Sequence, residues 1–258
     1  MSIIDTHAHL DADEFGADCD AIIARAIEVG VNRIITAGTS LASSEKVIVL
    51  AERYPQVFAA VGIHPQEIAE VQKADILRIA ELAKSPKVVA LGEMGLDFHR
   101  SVVNKDAQIQ GLKWQLELAS ELRLPVIVHV RQATNQIIEI LGDWVKQFPI
   151  ECTGVIHCFQ ESIPVAKAFL EMGFYLSLGG YISYPSSHLS TVINSIPKNR
   201  LLVETDCPYL PPQKYRGKRN EPAYSTLTVE TLAGILGITA EQVAHLTTEN
   251  ATRLFRFK

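Results

Sequence analysis

Eight short apolar runs alternate with helical stretches along this 258-residue chain, and that alternation limits its fold more than any other feature. The runs are IIDTHAHL (3–10), RIITAGT (33–39), VFAAVGIHP (57–65), VVALGEMGLD (88–97), PVIVHVR (125–131), GVIHCF (154–159), the region of YLSLGGYIS (173–183) and LLVETDCPYL (201–210). Most are rich in Val, Ile and Leu, as parallel strands covered on both faces must be. Between them lie stripes at helical spacing. Ile22, Ile23, Ala26 and Ile27 run up to a stop at Gly30, and Ile109, Leu112, Leu116 and Ala119 form a second stripe. Ile137, Leu141, Trp144, Val145 and Phe148 form a third, ended by Pro149. Two further helices are predicted around 224–236, with STLTVETL as a start signal, and over 239–256, opening on the capping-box pattern TAEQ at Thr239. Eight strands alternating with helices in about 250 residues predict a (β/α)8 TIM barrel formed by the whole chain, 1–258, as one domain. The competing open, doubly wound sheet lacks support. No GxGxxG follows the first strand, and polar residues recur at nearly every strand end instead of at one switch point.

Those polar strand ends are the second constraint. In DTHAHL a strict period of two puts Asp5, His7 and His9 on one face, where a covered strand should be apolar. The third run ends in His64, the fourth carries Glu93, the fifth His129 with Arg131 two residues on, the sixth His157, and the eighth Asp206 with Glu204. In a barrel the strand ends share one rim, so these residues converge in space. A single histidine there is more often a hydrogen-bonded core residue than a ligand. Six His, Glu and Asp side chains on five strand ends are different. Burying them without a cation leaves several unpaired polar groups at about 1–3 kcal/mol each. Four imidazoles and two carboxylates exceed one tetrahedral catalytic site, so two divalent ions are expected, with Glu93 as the bridge. Nitrogen and oxygen donors without thiolate suit Zn²⁺, Mn²⁺, Ni²⁺ or Mg²⁺.

Composition narrows the partner. The net charge of −5 gives no global basic field for long duplex, so a nucleic-acid substrate has to be gripped locally. The four cysteines, at 19, 152, 158 and 207, form no CxxC pair, which argues against thiolate metal sites and a disulfide framework. MSIIDTH lacks a charged region followed by an apolar stretch, and no run approaches spanning length, so a cytoplasmic protein with no membrane association and no obligate protein partner is expected.

The set DTHAHL, GIHP, GEMGLD, VHVR, GVIHCF, LLVETDCPYLPP, RNEP and ENATRLF, in collinear order from residue 3 to about 256, resembles the TatD family of metal-dependent deoxyribonucleases in the amidohydrolase superfamily. The resemblance implies that His7, His9 and Asp206 hold one metal, His129 and His157 the other, and Glu93 both. It also implies a 3′-to-5′ exonuclease. One departure stands out: the family's usual Ser-Gly after HCF reads Gln160-Glu161-Ser162 here, a bulkier and acidic rim that bears on substrate preference.

The expected reaction is metal-assisted hydrolysis of a phosphodiester at short single-stranded DNA ends, with Glu93 and Asp206 as catalytic carboxylates and Asp206 also the general base. The same site acting on an ester or amide, such as an aminoacyl-tRNA bond, is the alternative, because fold does not fix substrate. His64 and Arg131 are candidates for gripping the phosphate, with a structural ion pair the competing reading of Arg131. Asp5 and Glu204 are expected to orient imidazoles. The loop KYRGKR (214–219) offers Lys214, Arg216, Lys218 and Arg219 as a further phosphate grip, with Tyr215 to stack a base. His99 and His188 read as surface residues, and Cys158 and Cys207 as small buried hydrophobes.

Overall fold

In the computed structural model, which describes residues 1–99, 104–147 and 153–257, the predicted strands form one parallel sheet. The strands are β1 (Ile3–Ala8), β2 (Val31–Ala37), β3 (Val57–Val61), β4 (Val88–Asp97), β5 (Val126–Arg131), β6 (Gly154–Ile156), β7 (Tyr175–Leu178) and β8 (Leu201–Val203), hydrogen-bonded in chain order. The helices are α1 (Cys19–Glu28), α2 (Leu41–Arg53), α3 (Lys73–Leu82), α4 (Lys105–Leu122), α5 (Thr134–Gln147), α6 (Ile163–Glu171), α7 (Ser190–Ser195), α8 (Ser225–Leu236) and α9 (Ala240–Phe255). The sheet curls until β1 meets the end of β8. Ala8 bridges Cys207, the His9 amide donates to the Cys207 carbonyl at 2.8 Å, and the Asp206 amide donates to the His7 carbonyl at 2.9 Å. The result is a nearly closed (β/α)8 barrel.

The interior is one apolar layer with a plug. Ile4, Ile35, Phe58, Val89, Ile127, Val155, Tyr175 and Leu202, one from each strand, pack in a cluster with Ala251, Leu254 and Phe255 of α9. The period-two rule delivers that layer. A larger cluster joins the other strand faces to the helix stripes: Ile22, Ile23 and Ala26 of α1, Leu112, Leu116 and Ala119 of α4, and Ile137, Leu141 and Trp144 of α5 are all buried. Phe148, Pro149 and Cys152 lie outside the described residues. α9 opens with the capping box between Thr239 and Gln242 that its sequence predicts. α8 opens without a side-chain cap, continuing a 3₁₀ turn at Pro222–Tyr224, so the start signal read in STLTVETL is not what begins it.

Several expected strands are too long. The eighth ends at Val203, and the chain beyond it is a turn in which Asp206 takes a left-handed φ of 56°. The first ends at Ala8, and its register with β2 shifts between Asp5 and Ala8. His7 and His9 therefore do not share a face by regular alternation. An irregular strand end brings them together.

Candidate metal centre

Glu93 sits at the middle of the rim, and its placement depends on the glycines around it. Gly92 has a φ of 143°, and a Cβ there would lie 2.6 Å from the Ile127 carbonyl oxygen. At Gly95 (φ 151°) a Cβ would lie 2.0 Å from the His129 carbonyl oxygen. Only residues without a side chain let β4 and β5 approach this closely while the chain between turns the carboxylate toward the rim. That is the physical content of GEMG.

The two oxygens of Glu93 face two different groups of donors. Glu93 Oε2 lies 3.4 Å from both His7 Nε2 and His9 Nε2. Those nitrogens are 3.1 Å apart and stand 3.6 and 3.4 Å from Asp206 Oδ1. Donors on a tetrahedron with metal–ligand bonds of about 2.0–2.2 Å are about 3.3–3.6 Å apart, so these separations fit one cation. Glu93 Oε1 lies 2.8 Å from His129 Nδ1 and 2.9 Å from His157 Nε2, and the two nitrogens are 3.1 Å apart. This second trio also fits, and three protein donors leave positions open. The groups abut: the His7 and His157 rings stack at 4.1 Å, and donor atoms of His7, His157 and Asp206 also lie within 4.8 Å of one another.

The far side of each ring decides which nitrogen carries a proton. His9 Nδ1 lies 3.0 Å from the Ala37 carbonyl, to which only an N–H donates, so Nε2 keeps a lone pair for a cation. His157 Nδ1 faces Glu204 at 3.8 Å and His129 Nε2 faces Asp97 at 3.7 Å. His7 Nδ1, His129 Nε2 and His157 Nδ1 have no hydrogen-bond partner among the described residues. His64 is arranged the opposite way. Its Nδ1 accepts the Gln66 amide at 3.1 Å, so in the neutral ring Nε2 bears the proton and points at Glu93 Oε1, 3.6 Å away. His64 is thus built as a donor and not as a ligand, although its nitrogen is near enough to Glu93 and His129 to count in a third donor trio.

The electrostatics follow the same division. Burial pushes His64 down to about 4, which keeps it neutral. Burial also acts to raise Glu93 and Asp206, but the surrounding imidazoles outweigh it and hold both carboxyls below their ordinary range. For His9, His129 and His157 burial is likewise outweighed, here by adjacent carboxylates, and their pKa values rise, while burial lowers His7. Without a cation the cluster holds its charge with protons, which a metal ion would displace.

The comparisons with known proteins point the same way. The profile described as TatD related DNase matches residues 4–256. The chain belongs to the TatD DNase family. It is 41% identical over 256 residues to a protein of Bacillus subtilis (strain 168) described as uncharacterized metal-dependent hydrolase YabD, covering 98% of this chain and 99% of that one. It is 33% identical over 259 residues to the 3′-5′ ssDNA/RNA exonuclease TatD of Salmonella typhimurium, covering 98% of both. Its fold matches the crystal structure of YJJV, a TatD homolog from Escherichia coli K12, with a TM-score of 0.93 and 32% identity over 99% of this chain and 98% of that one. The protein is therefore a metal-dependent hydrolase of the TatD type.

Around this TatD-family centre some expected residues fall elsewhere. Arg131 stands exposed at the end of β5 and makes no ion pair among the described residues, so the structural-pair reading has no support. Arg219 does not project as a free phosphate grip. Its guanidinium donates to Asp18 at 2.6 and 3.1 Å and to the Glu14 carbonyl, and it pairs with Glu221 at 3.6 Å. Tyr215 stacks on Tyr224 at 4.0 Å, so that face is not open to a base. Asp5 does not orient an imidazole. Its carboxyl accepts from the Thr205 amide at 2.9 Å, lies 2.5 Å from the Thr205 hydroxyl, and is pushed up to about 8, chiefly by burial. Glu204 keeps its expected place beside His157 and also accepts the Cys158 amide at 2.6 Å. Cys207 is buried as expected, but Cys158 is only partly buried.

Three residues carry weight that sequence reasoning missed. Asp97 faces His129, and its place in GEMGLD, two turns of the pleat beyond Glu93, was the available signal. Tyr209 stands 52% exposed with its ring 5.9 Å from that of His9. Asn220, in RNEP, is fully buried and ties the turn bearing Asp206 in place, donating to the Thr205 and Tyr209 carbonyls at 2.8 and 2.7 Å.

Proposed function

We propose that this chain is a 3′-to-5′ exonuclease acting on short single-stranded DNA ends, hydrolysing the phosphodiester with two divalent cations, Mg²⁺, Mn²⁺ or Zn²⁺. One observation carries the reading: a single carboxylate, Glu93, turns each of its oxygens to a separate set of nitrogen and oxygen donors. In this proposal His7, His9 and Asp206 hold one ion, His129 and His157 the other, and Glu93 both. Bound there, the cations lower the pKa of water and offset charge on the phosphate. Asp206, ionised at neutral pH, takes the proton of the attacking water. His64 donates from Nε2 to a phosphate oxygen, and Arg131 offers a planar fork to the same group. Tyr209 offers an exposed ring on which the base on the other side of the scissile phosphate stacks.

Support comes also from the relatives named as single-strand exonucleases at about a third identity. The net charge of −5 disfavours long duplex, for which a strongly basic groove is needed. No helix among the described residues is long and apolar enough to cross a membrane, and the free Cys19, Cys158 and Cys207 suit a reducing, cytoplasmic compartment. The apolar layer and its α9 plug suit a chain that folds as one domain from 1 to 258.

The test is metal-titrated digestion of 5′-end-labelled single- and double-stranded DNA beside an aminoacyl ester. Single strands should be shortened from the 3′ end, and Glu93→Ala should abolish this. Ester turnover without DNA cleavage would assign the site to acyl chemistry instead.

A further inference from the structure

A cavity of about 460 Å³ opens on the same rim as the metal centre, between the segments that follow β6 and β7. Its walls include Gln160, Glu161, Tyr184, Ser187 and His188. Gln160 comes three residues after His157, and its amide donates to Cys158 Sγ at 3.2 Å, which joins the cavity wall to the residue beside that imidazole. The volume falls within the range of small-molecule pockets and accommodates a heterocycle with its pentose.

We propose that this cavity is a base-reading subsite, taking the base of the nucleotide next to the cut and favouring bases that carry an amino group over thymine. The inference rests on the nuclease reading above. The Tyr184 ring supplies a flat wall. Its hydroxyl donates to the Pro211 carbonyl at 2.7 Å, which fixes the ring, and the Arg216 guanidinium sits 5.6 Å from its centroid. A fixed aromatic wall with a cation beside it suits base stacking with a phosphate outside. Glu161 is held too: Thr134 Oγ1 donates to its Oε1 at 3.0 Å, so the carboxylate is a positioned acceptor. A carboxylate in the cavity repels phosphate and accepts from an exocyclic amine, which cytosine, adenine and guanine have and thymine lacks. The basic side chains lie outside: Arg216 rests on Tyr184, and Lys214 and Lys218 flank the Tyr215 ring at 5.6 and 5.9 Å.

The experiment uses four single-stranded oligonucleotides that differ only in the 3′-terminal base, digested in Mg²⁺ or Mn²⁺, with kcat/KM read as ratios to the thymine substrate. The full-length wild type should favour cytosine, adenine and guanine by about tenfold, the scale of one charged acceptor on a base edge. Glu161→Ala should bring the ratios to within about twofold of unity, and Glu161→Gln, which keeps the shape and the Thr134 contact, should lower them. A ratio taken within one enzyme cancels any loss of folded protein. Equal wild-type rates on all four ends, or ratios unmoved by both substitutions, would overturn the subsite while leaving the nuclease reading intact. Absence of cleavage of every end by the metal-loaded wild type would overturn both.

Discussion

His9 and His64 differ by one hydrogen bond, and that bond separates a candidate ligand from a candidate donor. His9 gives its Nδ1 proton to a carbonyl, and His64 takes an amide proton on Nδ1. Replacing His9 with Gln should therefore remove about one ion per chain from the fully loaded protein, measured by elemental analysis. Replacing His64 with Gln should leave the metal content unchanged and lower kcat by about 10²-fold, as loss of one transition-state donor does. Loss of metal from the His64 variant would make that residue a ligand after all. Arg219 carries a different expectation. Its hydrogen bond holds the Asp18 carboxyl below its ordinary pKa. A depressed folded-state pKa contributes stability that is present above the unfolded value near 3.8 and is lost as pH falls through the folded one. Arg219→Gln should therefore show a stability deficit that is constant from about pH 8 to 5 and fades below about pH 4, read from paired urea titrations. The charge run in KYRGKR was legible in the sequence, but not whether each charge was already spoken for. That depends on Asp18, some two hundred residues away.

The segment after β8 shows why an apolar strand pattern overruns its strand. LLVETDCPYL reads as one extended run, yet hydrogen bonds from three directions bend it after Val203. Asp5 accepts the Thr205 amide, His7 accepts the Asp206 amide, and Asn220 donates to the Thr205 and Tyr209 carbonyls. Asp206 is left with a positive φ, a conformation aspartate tolerates better than most residues. Asn220→Ala would orphan two carbonyls, at about 1–3 kcal/mol each. It should lower both the unfolding free energy and the affinity for the ion at Asp206, measured by denaturant titration and by metal-binding calorimetry. Gly95→Ala has a steric cause, because its Cβ would overlap the His129 carbonyl. It should destabilise the fold by several kcal/mol and displace His129. GEMG was readable as a motif, but not its reason, which lies in how closely β5 passes β4.

The whole molecule is tied at two ends. At one, Leu254 and Phe255 of α9 plug the eight-strand layer. At the other, residues from five strand ends gather around Glu93, and three of their imidazole nitrogens, on the ring sides turned away from it, lack hydrogen-bond partners among the described residues. Leu254→Ala, a large-to-small change in a fully buried side chain, should cost about 2–5 kcal/mol without altering metal content. Chelation should lower the melting temperature, and about 100 Kd of a divalent ion should restore about 2.7 kcal/mol at a single site. A melting temperature indifferent to metal would show that packing alone holds the rim together. The alternation of strand and helix, the histidines and acids at the strand ends, and the glycines around Glu93 were all determined by the sequence, because side-chain periodicity and residue chemistry are local properties. Which imidazole nitrogen points inward, which cations are already paired and where β8 stops were decided by the tertiary structure alone. Each of these turns on a partner far away in the chain, and only barrel closure brings that partner within hydrogen-bonding distance.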